Sequence, residues 1–462
     1  MNIPPEELAI CLKVLQQISE DTTVINHHER FKGLIAKIHK EGRKNERRTE
    51  RQRQRTEDQS TKATTLRVQN QRSPQPSTAM STLSVPIYKK LFKPINCYIC
   101  KQPYTQIHFF YHLLCPQCAA FNYQKRNQQT NLSGRVALVT GGRIKIGYQT
   151  ALRMLRDGAR VIVTTRFPRD CARRFSSETD FAQWYNRLQI YGLDLRNIPV
   201  VEAFVGYLLQ IEPALDIIIS NAAQTIKRPL AFYEHLLARE REPLDVLPTE
   251  ALNIIMDVGK SYPFLLESQP HYRDNLPAVV NEYFPAHTFD SEGQQLDIRP
   301  SNSWLLKLDE VSTMEMLEVQ LVNAIAPFIL NSQLKPLLLR SSFERRFIIN
   351  VSAMEGQFSR DSKQEFHPHT NMAKAALNMM TRTSSGDYAR DSIFMNSVDT
   401  GWITDENPYP KKTYLQEDRG FYTPLDVIDG MARIYDPIVQ GIENSAVPFF
   451  GYFLKNYMPY PW

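Results

Sequence analysis

From residue 131 onward, short apolar runs of strand length recur: RVALVT, RVIVTT, LDIIIS, RFIINVS and FMNSV. None shows the strict polar alternation of a strand with one wet face, so each suits a strand buried on both faces. Helical stretches lie between them. Strands covered on both sides and separated by helices require an α/β fold built on a parallel sheet.

The chain has 462 residues, more than one ordinary domain needs, so two or three units are expected. Hydrophobic residues make up 42% and charged residues 23%, the balance of a soluble globular protein. No run of about 18 apolar residues appears, so neither a transmembrane helix nor a membrane partner is expected. The start, MNIPPEELAI, carries acids where a secretory signal carries basic residues, and the expected compartment is the cytoplasm. Charge is uneven. Residues 1–130 hold 21 Lys+Arg and 10 Asp+Glu (+11), and the remainder holds 34 and 39 (−5), together the net +6. A basic front on a mildly acidic body suggests separate partners.

Residues 1–40 read as a helical hairpin. Leu8, Leu12, Leu15 and Ile18 share one face, and Phe31, Leu34, Ile35 and Ile38 another, with a break near DTTVINHH. Residues 41–85, starting GRKNERRTERQRQRTEDQ, are polar and nearly free of apolar side chains, and read as a basic linker, disordered or an exposed helix. Its charge could meet nucleic acid or an acidic protein.

Residues 86–128 contain NCYICKQPYTQIHFFYHLLCPQCAAF. Cys97, Cys100, Cys115 and Cys118 give C-x2-C-x14-C-x2-C, two thiolate pairs that can close a tetrahedral shell around a structural Zn2+. This is the spacing of a zinc-ribbon-like module; a redox dithiol would need only one C-x-x-C. Such modules bind nucleic acid, dock proteins or act as spacers, and the cysteines do not choose among these.

GRVALVTGGRIKIGYQTALRML is a strand, a glycine turn and a helix. Here the sequence resembles the short-chain dehydrogenase/reductase family, whose turn reads T-G-x-x-x-G-x-G. Thr140, Gly141 and Gly147 match, and Lys145 replaces the middle glycine. The resemblance implies a Rossmann-type doubly wound sheet over residues 129–462 and a dinucleotide on the turn, with Ile146 beside it. At the end of the second strand Arg166 stands where an NAD enzyme needs an acid, and Arg143 lies in the glycine turn. Two guanidinium groups there favour the 2′-phosphate of NADP. By the same resemblance, Asp194 and Leu195 in GLDLR border the adenine, Asn221 and Ala222 in SNAAQ match the family's N-N-A-G turn, and Thr404 in VDTGWIT matches its P-G-x-x-T segment. Matching elements run over about 132–225 and 312–462. Between them, about 226–311 is an insertion, either a lid or substrate subdomain or a partner surface.

The family works with an Asn, a Ser, a Tyr and a Lys. The resemblance assigns Asn323 to water ordering and Lys374 to the ribose and to tuning the acid. The tyrosine position carries Thr370, and the serine position carries Ala353, with Ser352 one residue earlier and facing the other way along the strand. A threonine hydroxyl is a poor acid at neutral pH. His367 and His369 precede Thr370 in HPHT, and His369, running directly into the helix, is the stronger candidate for the missing donor. HPHTNMAKAALNMMTR with NAAQTIKRP resembles a distinct subgroup, which would make Thr370 a subgroup trait.

Two functions fit. One is an NADP(H)-dependent oxidoreductase acting on a small-molecule carbonyl, alcohol or activated double bond, as a homo-oligomer. The other is a catalytically degenerate NADP-binding scaffold or sensor that relays occupancy to a protein or nucleic-acid partner through the zinc module and insertion. Retained Asn323 favours the enzyme.

Overall fold

The computed structural model describes residues 3–25, 28–72, 89–243, 247–256, 282–290, 292–359 and 363–462. Its centre is a nine-stranded sheet: β3 (Val136–Thr140), β4 (Arg160–Thr165), β5 (Leu188–Gly192), β6 (Ile217–Ser220), β7 (Ile255–Met256), β8 (Arg346–Ser352), β9 (Ile393–Asp399), β10 (Phe453–Lys455) and β11 (Met458–Tyr460). Their order is β11-β10-β9-β8-β6-β3-β4-β5-β7. Every pairing is parallel except β10 with β11. All five residues of β3 and all seven of β9 are buried, as strands covered on both faces must be.

One face of the sheet packs on Leu152 and Leu155 of α5 (Lys145–Arg156) and on Ile434 and Ile438 of α15 (Val427–Glu443). The other packs on Phe204 and Leu208 of α7 (Ile198–Ile211) and on Leu330 of α11 (Ala326–Gln333). The chain leaves β3 toward β4 on one side and returns to β6 on the other, which opens a crevice at the strands' carboxyl ends. The helical stretch Thr313–Gln333 is long and apolar enough to cross a membrane by composition. Here Ala326, Ile329 and Leu330 within it belong to the core.

The N-terminal region departs from its sequence reading. Residues 41–63, read as linker, continue α2 (Glu29–Ala63), and α3 (Leu66–Arg72) follows. Residues 73–85 of that segment lie outside the described residues. Arg, Lys, Gln and Glu are strong helix formers, and i,i+3 pairs such as Glu50–Arg53 at 2.9 Å support the exposed helix. Its far end is docked, because Asp58 accepts the N–H of Phe92 at 2.8 Å. The α1 helix (Pro5–Glu20) precedes it, with the break between them where DTTVINHH placed it.

The cysteine module pairs β1 (Lys89–Asn96) with β2 (Pro103–Ile107) as an antiparallel hairpin followed by α4 (Pro116–Arg126). The first cysteine pair forms the turn between the strands, and the second opens the helix. The module is joined to the sheet domain through buried polar contacts on α15. Arg126 pairs with Asp426 at 2.6 Å and Asp429 at 3.0 Å, the Tyr111 hydroxyl donates to Asp429, and Arg433 donates to Asn122 at 2.8 Å. A half-buried guanidinium bridging two carboxylates, one of them fully buried, leaves uncompensated charge when removed. Arg126→Ala is therefore expected to lower unfolding free energy by about 3–5 kcal/mol in denaturant titrations. Arg53→Ala, on the exposed helix, is expected to leave the unfolding midpoint where it is.

Candidate functional site

A cleft of about 1200 Å³ lies over the carboxyl ends of β3, β4, β5, β6, β8 and β9. Its floor is the glycine turn. Gly141 has φ +68°, and a Cβ on it would press on Ala222 at 3.0 Å. A Cβ on Gly147 would lie 2.3 Å from both the Gly141 carbonyl and Asn221 Nδ2, so only glycine fits. Lys145, at the position of the resembled turn's middle glycine, stands at φ +54°. That is an unfavourable region for a side-chain-bearing residue, held in place by the packing around it. The amino end of α5 thus faces the cleft, as an anion site requires.

Gly141, Arg143, Ile146, Gly147, Arg166, Asp194, Leu195, Asn221, Ala222, Thr370, Lys374 and Thr404 all border this cleft. Three residues assigned from sequence do not. Thr140 lies behind it, its hydroxyl oxygen accepting the N–H groups of Asn221 and Ala222 at 3.0 Å each. Asn323 sits in a π-helical turn, Leu321–Ile325, and its side chain clasps the backbone of Gln224, accepting from N at 2.7 Å and donating to O at 3.1 Å. It therefore braces the SNAAQ turn, where water ordering was expected. His369 is turned away from the cleft and buried against Glu315, with Nε2 and Oε1 3.5 Å apart.

Among the described residues, the histidine that borders the cleft is His367. It stands before α13 (Pro368–Arg390) in left-handed conformation, φ 42°. Its ring stacks on Trp304 of the insertion at 3.8 Å, and Nδ1 meets the Trp304 carbonyl at 2.9 Å. A carbonyl only accepts, so Nδ1 carries the proton and Nε2 is left as an acceptor while the ring is neutral. Burial, first, holds its pKa below the usual histidine value, although the Trp304 carbonyl pulls the other way.

Lys374 lies one helical turn after Thr370, on the same face of α13. Its ammonium donates to the Val351 carbonyl at 2.7 Å. Burial brings its pKa down to about 8, with Glu355 opposing. The Thr370 hydroxyl is buried and has no hydrogen-bond partner among the described residues. Ala353 offers no hydroxyl, and Ser352 spends its own on Asn378 at 2.6 Å.

The two arginines separate. Arg143 is buried and paired with Asp170 at 2.7 Å and Gln294 at 2.8 Å. Burial pushes the Asp170 carboxyl up, but Arg143 and Arg174 outweigh it and hold the pKa at about 2. Arg143 is thus already neutralised and does not join Arg166 as a free cation. Arg166 has no ion pair among the described residues and lies over the Tyr233 ring at 4.6 Å. Asp194 is held by Arg196 at 2.6 Å. From the insertion, Gln294, Asp297, Arg299 and Trp304 line the cleft, which sequence periodicity could not reveal; residues 244–246, 257–281 and 291 of it lie outside the described residues.

The four cysteine sulfurs lie within 4.8 Å of one another, and Cys100 and Cys115 are 3.7 Å apart. Two thiolates on one tetrahedral Zn2+ stand about 3.8 Å apart, given Zn–S bonds of about 2.3 Å. The donor set and spacing fit that ion.

The profile of the family described as short chain dehydrogenase matches residues 135–239. Uncharacterized protein R665 of Acanthamoeba polyphaga mimivirus is 33% identical over 356 residues, 74% of this chain and 71% of that protein. Dehydrogenase/reductase SDR family member 13 of Homo sapiens is 35% identical over 137 residues, 29% of this chain and 31% of that protein, so the match spans under a third of that relative's length. Among solved structures, NADPH-bound carbonyl reductase from chicken fatty liver is 18% identical, covering 72% of this chain and 100% of that one with a TM-score of 0.44. Over residues 135–239 the chain is thus similar to the short chain dehydrogenase family, and those residues form the Rossmann-like half of the sheet.

Proposed function

We propose that this protein is an NADP(H)-dependent oxidoreductase acting on a carbonyl, alcohol or activated double bond, and that Cys97, Cys100, Cys115 and Cys118 hold one structural Zn2+. The observation that carries the redox reading is the cleft floor. A desolvated lysine and an unpartnered threonine hydroxyl share one face of α13 across from an open helix terminus. An unpaired buried hydroxyl costs about 1–3 kcal/mol, which a ligand oxygen would relieve. NADPH, when bound, supplies the hydride. The chain's own part is to bind the pyrophosphate at α5, the 2′-phosphate at Arg166 and the ribose at Lys374, and to place a substrate oxygen near Thr370. Proton transfer falls to His367 Nε2, with Thr370 as hydrogen-bond donor; His369 has no path to the cleft. Thr370 in place of tyrosine would then mark a subgroup.

The sensor reading is favoured by one observation, the absence of both a phenol at 370 and a hydroxyl at 353. General acid–base catalysis contributes about 10²–10⁴ in rate, so its loss slows a reductase without abolishing hydride transfer.

Arg166→Ala is expected to reduce affinity for NADP about tenfold or more and leave NAD affinity nearly unchanged, read by calorimetric titration. Arg143→Ala should instead lower the melting temperature. No change in the NADP/NAD ratio on losing Arg166 overturns the phosphate assignment.

Lys374 gives a pH signature. Its folded pKa is about 8 against 10.5 for the free side chain, so the unliganded lysine is charged below pH 8 and neutral above it. A nucleotide that contacts the ammonium restores the charged form. Binding near pH 8.5 should then take up a fraction of a proton, and near pH 6.5 none. Calorimetry in buffers of different ionisation enthalpy reads this uptake, and Lys374→Met should abolish it.

Enzyme and sensor are separated by NADPH oxidation against a broad carbonyl panel. His367→Ala should cut turnover with little effect on nucleotide affinity, and Thr370→Tyr, which places a phenol beside a poised lysine, should raise it. If NADPH binds, yet neither wild type nor Thr370→Tyr oxidises it with any carbonyl or reduces NADP with the corresponding alcohols, the sensor reading holds.

A further inference from the structure

The cysteine module reaches the cleft. Tyr98, Ile99 and Lys101, within and just after the first cysteine pair, form part of its wall. The backbone N–H of Trp402 donates to the Tyr98 hydroxyl at 2.9 Å. Trp402 follows Gly401, whose φ of +80° turns the chain from the end of β9 into the stretch Thr400–Tyr409 that borders the cleft. A Cβ on Gly401 would stand 2.6 Å from Leu425 and 3.6 Å from the Tyr98 hydroxyl, so this turn is wedged between the two.

Ile403 of that loop is held by the module as well, and the neighbouring segment 422–425 is held by the module together with Arg67 of α3. Leu425 and Ile403 pack in the module's small apolar cluster with Leu91, Tyr104, Phe110 and Leu114. Arg67 donates to Thr423 at 2.5 Å and to the Leu425 carbonyl at 2.6 Å, and His112 Nε2 meets the Tyr422 carbonyl at 3.2 Å. Beside its cysteines the knuckle is held by short-range backbone bonds, among them the Lys101 N–H on the Cys97 carbonyl at 3.1 Å, and by Tyr98 and Ile99 packing on the module's apolar cluster. The Tyr98 N–H reaches the Leu113 carbonyl at 2.8 Å and the Cys97 N–H reaches Gln102 at 2.9 Å. A unit with so small a core takes its order from its metal.

We propose that the four-cysteine module is a working wall of the cleft, with Tyr98 a positioning residue. Metal held by the four thiolates fixes the knuckle. The Tyr98 phenol then fixes the Trp402 N–H, and the loop from Thr400 to Tyr409 is set for the ligand in the cleft. The module therefore couples metal loading to ligand affinity inside one chain. This deepens the nucleotide reading of the same cleft, and rests on it only for the identity of the ligand.

The test compares full-length wild type, chelated wild type, Tyr98→Phe and Cys97→Ser/Cys118→Ser. Wild type should carry one Zn2+ per chain and the double serine variant none. Without ligand, hydrogen exchange at the Trp402 amide should quicken about three- to tenfold in Tyr98→Phe, the scale of one lost hydrogen bond, and at least as much after chelation. NADPH affinity should fall by a similar factor in Tyr98→Phe while its zinc content and melting temperature stay at wild-type values, a split that a merely structural role would not give. Chelating Tyr98→Phe should add little beyond chelating wild type. Unchanged Trp402 exchange in Tyr98→Phe overturns the proposal, and so does a chelated protein that keeps wild-type exchange and affinity. If chelation unfolds the chain, Tyr98→Phe alone decides. If wild type binds no nicotinamide nucleotide, the oxidoreductase reading fails while the exchange data still judge the coupling.

Discussion

The cleft exists because two backbone segments cross at the centre of the sheet with almost nothing between them. Gly147 approaches the Gly141 carbonyl so closely that no Cβ fits. Asn221 closes the crossing by donating to the carbonyls of Thr140 and Gly141 at 3.0 and 3.3 Å, and Thr140 returns the contact through its hydroxyl. The turns after β3 and β6 are therefore one rigid unit, and the first turn of α5 stays open to an anion. Lys145 can hold its left-handed backbone because this unit over-determines it. Asn323 extends the same bracing to the chain beyond Ala222 through Gln224.

Burial then decides which charges remain for a ligand. A guanidinium removed from water must be paired. Arg143 sits under the insertion, so it needs Asp170 and Gln294, and its contribution is to pin the insertion to the glycine turn. Arg166 sits at the strand end over aromatic neighbours, with no ion pair among the described residues, so its charge faces the cleft. Two residues of one type that both border the cleft thus stand in different surroundings.

What was legible in the sequence is what local spacing encodes. The apolar runs became parallel strands, the glycine turn bordered the cleft, and the paired cysteines converged. What was not legible depended on direction or on distant segments. A π turn carries Asn323, whose side chain meets a backbone that no spacing rule supplies. His367 takes the left-handed position before the helix, which leaves His369 on the side facing Glu315, reversing the preference read from HPHT. Trp304, which fixes His367, comes from the insertion 63 residues away in sequence. The polar stretch after residue 41 read as a tether because it lacks apolar residues, yet helix formers and i,i+3 pairs suffice when one end is docked. Tyr98 at the cleft had no local signal, since its partner Trp402 is 304 residues distant.

These contacts also bear on the direction of the chemistry. A family tyrosine beside Lys374 could give or take a proton, because a nearby cation pulls a phenol of pKa about 10 toward neutrality. His367 is not symmetric in this way. Its Nδ1 proton is committed to the Trp304 carbonyl, and burial disfavours its second proton. At neutral pH its free nitrogen is an acceptor. On the proposed reading, the resting site is therefore better disposed to take a proton from an alcohol than to give one to a carbonyl. Reduction would need the imidazolium, which forms more readily as pH falls, while oxidation draws on the state already present. On that same reading the loss of the phenol and of the serine hydroxyl would narrow the reaction, and Lys374, still charged below pH 8, would hold the ribose end of the cleft.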